Sequence, residues 1–124
     1  MEEIETDAAP SGRGPFSQAI KHGDMIYVSG QGPVDPESGT LVGETIEEET
    51  RATLENIERI LEAAGSSLDN VVKATVFLQD MENYDAVNDV YGELMSAPYP
   101  ARSAVEVADL PIDIGVEIEV IAHT

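Results

Sequence analysis

A chain of 124 residues fits one domain with a core of its own, and the absence of cysteine excludes a disulfide framework, a thiolate nucleophile and a thiolate metal site. Six lysines and arginines stand against 25 aspartates and glutamates, a formal net charge of −19 that repels phosphate backbones and argues against nucleic acid as a partner. No apolar run approaches the roughly 20 residues that span a bilayer, and the acidic start Met1-Glu2-Glu3 lacks the pattern of a signal peptide.

The expected compartment is the cytoplasm. So acidic a surface suits a halophilic cell that accumulates salt, where a Debye length of about 3 Å at molar ionic strength removes much of the self-repulsion. One domain is expected over residues 1–124, with an acidic lead-in over 1–9 that runs on through a Ser11-Gly12-Arg13-Gly14-Pro15 loop.

Ser17 to Lys21 reads as a short strand, turned at His22-Gly23-Asp24 into a second strand over Met25 to Ser29. Gly30-Gln31-Gly32-Pro33 breaks it, and Asp35-Pro36-Glu37-Ser38-Gly39 is a turn with at most a small strand around Thr40 to Val42. Thr45-Ile46-Glu47-Glu48 has the spacing of a capping box and predicts a helix whose buried face carries Ile46, Thr50, Leu54, Ile57, Ile60, Leu61 and Ala64, closed by Gly65. On its outer face Glu47–Arg51 and Glu55–Arg59 are spaced as weak, solvated ion pairs.

Val71 to Gln79 is predicted as a central strand, with Val72, Ala74, Val76 and Leu78 on one face and Val71, Lys73, Thr75 and Phe77 on the other. Asp80 or Asn83 caps a second helix that buries Tyr84, Val87, Val90, Tyr91, Leu94 and Met95 and ends before Pro98 and Pro100. Arg102 to Val107 and Val116 to His123 close the chain as strands. The order β-β-α-β-α-β-β predicts an α+β domain: a mixed sheet with two helices on one face. The other face then needs cover, which points to a homo-oligomer.

Two side chains stand out chemically. Arg102 heads a β-branched strand, and its planar guanidinium fits a carboxylate as a two-pronged fork; its alternative is an ion pair with Glu106 on the same strand face. Glu117 and Glu119 share one face of the last strand and are either a solvated acidic surface or a source of a proton-handling group. The two histidines, His22 and His123, lie apart without ligand spacing, so no metal site is expected. Gly30-x-Gly32 lacks the rest of a dinucleotide fingerprint, and Ser66-Ser67 and Ser11 have no histidine at a spacing for a relay.

Pro100-Ala101-Arg102-Ser103-x-Val105-x-x-Ala108-x-Leu110, followed by Val116-Glu117-Ile118, resembles the signature of the RidA/YjgF family of reactive intermediate deaminases. So do Gly14-Pro15-Phe16-Ser17-Gln18-Ala19, Val28-Ser29-Gly30-Gln31, Asp35-Pro36-x-x-Gly39, Glu62-Ala63-Ala64-Gly65, Val71 to Leu78 and Val87-Asn88-x-x-Tyr91, colinear from about residue 9 to 123. The resemblance implies a chorismate-mutase-like homotrimer with a pocket at each subunit interface. It implies cofactor-free hydrolysis of enamine and imine intermediates such as 2-aminoacrylate to 2-oxo acids and ammonia, the activity of a 2-iminobutanoate/2-iminopropanoate deaminase.

By the same resemblance Arg102 binds the substrate carboxylate and Glu117 handles water and protons, while Phe16, Ser29, Gly30, Asn88 and Ala104 line the pocket. Two positions depart from the family pattern: Phe16 stands where many members have tyrosine, and Ala104 where many have cysteine. Competing expectations are an endoribonuclease or translation inhibitor, also attached to the family, and a non-catalytic binder of small carboxylates.

Overall fold

The computed structural model describes residues 1–124 as one six-stranded mixed sheet with two helices on a single face. In chain order the elements are β1 (Glu2–Ile4), β2 (Ala19–His22), β3 (Met25–Gln31), α1 (Ile46–Ala63), β4 (Val71–Leu78), α2 (Tyr84–Leu94), β5 (Ala101–Glu106) and β6 (Val116–His123). Short 3₁₀ turns at Leu68–Asn70 and Met81–Asn83 lead into β4 and α2. The strands lie in the order β1-β2-β3-β6-β4-β5, with β4 and β5 parallel and every other neighbour antiparallel.

α1 forms where the capping box places it. The Thr45 side chain accepts from the Glu48 amide at 3.1 Å and its hydroxyl lies 3.2 Å from the Glu48 carboxylate. At the other end Gly65 takes a φ of +82°, and the Ser66 amide reaches back to the Leu61 carbonyl at 2.8 Å. Leu54, Ile57, Ile60 and Leu61 are fully buried against Ile26, Ala74, Val76, Ile118 and Val120 of the sheet. Each such side chain contributes about 1.5–3 kcal/mol relative to an exposed one.

Several expectations change. The acidic lead-in contains a strand: Glu2–Ile4 pairs with Ala19 to Lys21, and Ile4 and Ala9 enter the core. The Gln18 amide fixes this segment, with Nε2 donating to the carbonyls of Thr6, Ala9 and Pro10, while its oxygen accepts from the Thr6 amide at 2.7 Å. In β4 the pairing with β6 slips between Val71 and Lys73, so Val71 is buried and Val72 is exposed, the reverse of strict alternation.

Neither ion pair spaced within α1 forms. Arg51 instead bridges to Glu93 of α2 at 2.6 Å, and Arg59 donates to the Asn56 side-chain oxygen at 3.0 Å. The N-terminal half of α2 is also more open than its pattern suggests, since Tyr84 is 38% exposed. Asp80 and Asn83 divide the start of α2 between them: Asp80 accepts from Glu82 to open the 3₁₀ turn, and the helix follows Asn83.

The face of the sheet away from the helices is uncovered in the single chain. Tyr27, Lys73, Thr75, Glu119 and Ile121 line a shallow cavity of about 170 Å³ there. No helix is long and apolar enough to cross a membrane.

Candidate active site

The predicted site residues gather into two groups on opposite faces of the sheet. Arg102, Ala104 and Glu106 pair with Ala74, Val76 and Leu78, the strand residues that face the helices. Glu117 pairs with Phe77, on the other face, beside Glu119 opposite Thr75. Strand alternation therefore separates Arg102 from Glu117 within one chain.

The first group lies where β5 forms the sheet edge under α2. Tyr84, Asn88 and Tyr91 are spaced i, i+4, i+7 and form one stripe of that helix facing Arg102. Arg102 Nη2 donates to Asn88 Oδ1 at 2.7 Å and to Tyr84 Oη at 3.1 Å. Its guanidinium carbon stands 4.7 Å from the centre of the Tyr91 ring and 5.6 Å from that of Tyr84, within cation–π range.

The alternative role for Arg102 is not realised: the Glu106 carboxylate accepts from the Met81 amide at 2.8 Å, and the sole ion pair in the chain is Arg51–Glu93. Nor is the guanidinium a free fork, because both contacts to α2 use the same nitrogen. Burial raises the pKa of the Tyr91 phenol, and the positive charge of Arg102 offsets part of that rise.

Ala104 is half-buried beside Arg102 on the same strand face. The Val107 amide donates inward to the Leu78 carbonyl at 2.9 Å. Two-residue alternation then turns the Ala104 amide outward from the unpaired edge of the sheet.

The second group is built by a bulge. Between Val28↔Val120 and Gln31↔Ile118 the pairing of β3 with β6 shifts, and the extra residue re-aims Ser29 and Gly30. A Cβ on Gly30 would lie 2.7 Å from Glu117 Oε2, so the carboxylate packs against the Gly30 backbone and would have to swing aside for any larger residue. Ser29 donates its hydroxyl proton to the Ser17 carbonyl at 2.6 Å, which leaves that oxygen as an acceptor.

Burial, and secondarily the like charge of Glu119, hold the pKa of Glu117 above the ordinary carboxylate range. Phe16 is 54% exposed and folds its ring back over Gly12 and Gly14, on the loop leading to Ser17. No group of three or more histidines, cysteines or acids is placed to hold a metal ion.

Sequence reasoning did not assign Tyr84 or Tyr91 to the site. The helical spacing Tyr84-Asn88-Tyr91 around an asparagine already singled out was the available signal.

The comparisons with known proteins agree with the fold and with these motifs. The family profile described as Endoribonuclease L-PSP matches residues 6–124. A RutC family protein of Pyrococcus horikoshii is 50% identical over 122 residues, covering 98% of this chain and 97% of that one. The 2-iminobutanoate/2-iminopropanoate deaminase of Capra hircus is 50% identical over 119 residues, 96% of this chain and 87% of that one.

Among solved structures, RidA from an Antarctic Psychrobacter superposes with a TM-score of 0.96 at 44% identity over 100% of both chains. Escherichia coli TdcF with bound serine gives 0.94 at 38% identity over 100% of this chain and 99% of that one. The chain belongs to the RidA/YjgF family and has its chorismate-mutase-like fold.

Proposed function

We propose that the protein is an enamine/imine deaminase working in the cytoplasm as a homotrimer, whose site forms where the β5 edge of one subunit meets the open sheet face of the next. The observation that carries this reading is the placement of Arg102: a half-buried guanidinium with no carboxylate partner, held by Asn88 and backed by Tyr91. A half-buried cation held in place without a counter-charge is ready to receive one, and a carboxylate ligand supplies it. Serine bound to TdcF is a carboxylate of the appropriate size. The deaminase names among relatives at 41–50% identity indicate what such a carboxylate carries.

Proton transfer to the enamine carbon gives the imine. Water then adds to the imine carbon, and the new C–O bond makes a tetrahedral aminoalcohol. Its C–N bond breaks with a proton delivered to nitrogen, so one water is consumed and a 2-oxo acid and ammonia leave.

Arg102 fixes the carboxylate and thereby the position of the reacting carbon. Glu117 of the neighbouring subunit holds the water and carries the proton to nitrogen, a task suited to a carboxyl whose pKa lies above its ordinary range. Ser29 and Gly30 frame Glu117; Phe16, lacking the hydroxyl common at its position, offers only an apolar wall. The reading requires no cofactor.

Generating 2-aminoacrylate in situ with a serine lyase and following pyruvate release tests this directly. The protein accelerates release; Arg102→Ala and Glu117→Gln each lose most of the acceleration while keeping the wild-type fold. Unaltered activity in Arg102→Ala overturns the assignment. The endoribonuclease reading faces a surface of net charge −19. RNA cleavage that depends on Arg102 would favour it over the deaminase.

A further inference from the structure

We infer that Tyr84 is a substrate-binding residue whose phenolic proton holds one oxygen of the carboxylate that Arg102 receives. The inference deepens the deaminase reading and rests on it.

The argument begins with the donors of Arg102. Nη2 carries two hydrogens, and it donates to both Asn88 Oδ1, at 2.7 Å, and Tyr84 Oη, at 3.1 Å. A two-pronged grip on a carboxylate uses Nη2 together with either Nη1 or Nε, because those pairs point their hydrogens in parallel. With Nη2 committed to α2, the guanidinium retains Nη1 and Nε as separate donors and presents no complete fork. The second carboxylate oxygen needs a donor from elsewhere.

Tyr84 Oη is that donor. Its lone pair receives the Arg102 hydrogen, so its own proton points away from the guanidinium, and it has no acceptor in the protein. The ring is 38% exposed, which leaves the hydroxyl accessible from the side a ligand enters. The rest of the stripe supports this placement. Tyr91 is buried beneath the cation, with its hydroxyl shielded and unpartnered, and so cannot turn out to serve. Asn88, its oxygen occupied by Arg102, keeps its amide hydrogens for the same ligand.

The chain that lacks a hydroxyl at Phe16 thus has one at Tyr84, on the opposite half of the composite pocket. Ligands carrying a carboxylate next to a planar carbon, the 2-oxo and 2-imino acids, fit the paired donors. The amides and esters of those acids lose the anion that both require.

Pyruvate, the unreactive product, serves as the probe. Its binding to wild type, Tyr84→Phe and Arg102→Ala is measured by calorimetry at low salt and in molar KCl, alongside kcat and KM for 2-aminoacrylate. Removing one hydrogen bond to a charged ligand group weakens binding by about tenfold or more, so Tyr84→Phe binds pyruvate that much less tightly and raises KM by a similar factor with kcat nearly unchanged. A hydrogen bond from a neutral donor is screened less than the attraction of Arg102. The ratio between wild type and Tyr84→Phe therefore persists in molar KCl. A structural role would lower the melting temperature without that split.

Wild-type pyruvate affinity in Tyr84→Phe, with loss in Arg102→Ala, overturns the role of Tyr84 and leaves the Arg102 site standing. Unchanged affinity in both variants overturns this inference together with the deaminase site.

Discussion

Because Arg102 and Glu117 project from opposite faces of one sheet, two separately inactive variants are expected to rescue each other. Arg102→Ala removes a cation that sits in a prepared cradle, and truncation of such a partner costs about 2–5 kcal/mol, or roughly 30- to several-thousand-fold in turnover. Glu117→Gln keeps the shape of the side chain and removes its proton chemistry. In assemblies reassorted from equal amounts of the two, the proposed arrangement has each interface draw its Arg102 half from one subunit and its Glu117 half from the next. In a closed trimer that holds both variants, about one third of the interfaces then combine two intact halves.

The assay is 2-aminoacrylate hydrolysis, with mixed assemblies made by co-expression under two affinity tags and purified on both in turn. Purification on both tags leaves only mixed assemblies, so activity near about one third of wild type per subunit is the expected result for a trimer. Activity equal to the average of the two parents would refute the reasoning, since it would place both groups in a pocket that one subunit completes alone.

Gly30→Ala sets a methyl group 2.7 Å from Glu117 Oε2 and displaces the carboxylate. It should depress kcat with little change in far-UV circular dichroism, while Gly92→Ala, whose added methyl meets nothing within 4 Å, leaves kcat unchanged. Glu119→Gln removes the like charge that helps to raise the pKa of Glu117, so the Glu117-dependent limb of the pH–rate profile moves to lower pH.

The raised pKa means that the folded state holds the Glu117 proton more tightly than the unfolded chain. Its contribution to stability is thus largest at pH below the unfolded value and is lost as pH rises through the folded one. Thermal melts of wild type and Glu117→Gln should therefore diverge in favour of the variant as pH rises across that window. The melting temperature of the wild type should also climb from low to molar KCl, as charge self-repulsion at −19 is screened; equal melting at both would count against a halophilic setting.

What could be read in advance follows the range of the interactions. α1 was legible because its capping box and apolar stripe are local, and β6 because Val116, Ile118, Val120 and Ala122 alternate without interruption. β1 was hidden because Glu2-Glu3-Ile4 has no strand composition, and its backbone is recruited by β2. The buried Asn56 likewise gave no signal: it donates to the carbonyls of Gly32 and Val34, more than twenty residues away in sequence.

Arg102 and Glu117 stood out through the family motif, but their placement on opposite faces of the sheet did not. Which face a strand residue takes depends on register between β4, β5 and β6, and that is fixed only once the sheet assembles. The contacts of Arg102 were hidden for a similar reason: α2 had to be in place before its claim on Nη2 could be seen.

The Gln18 clamp alters how the acidic beginning of the chain is to be regarded. Removing residues 1–9 would take away two of the three carbonyls that hold Nε2, Thr6 and Ala9, and uncover the core beside Ile4. The Ser17 carbonyl that takes the Ser29 hydroxyl proton is the next residue along. A cut far from any reacting atom would thus loosen the frame around Glu117, which makes those first residues a brace for the pocket rather than a trimmable tail.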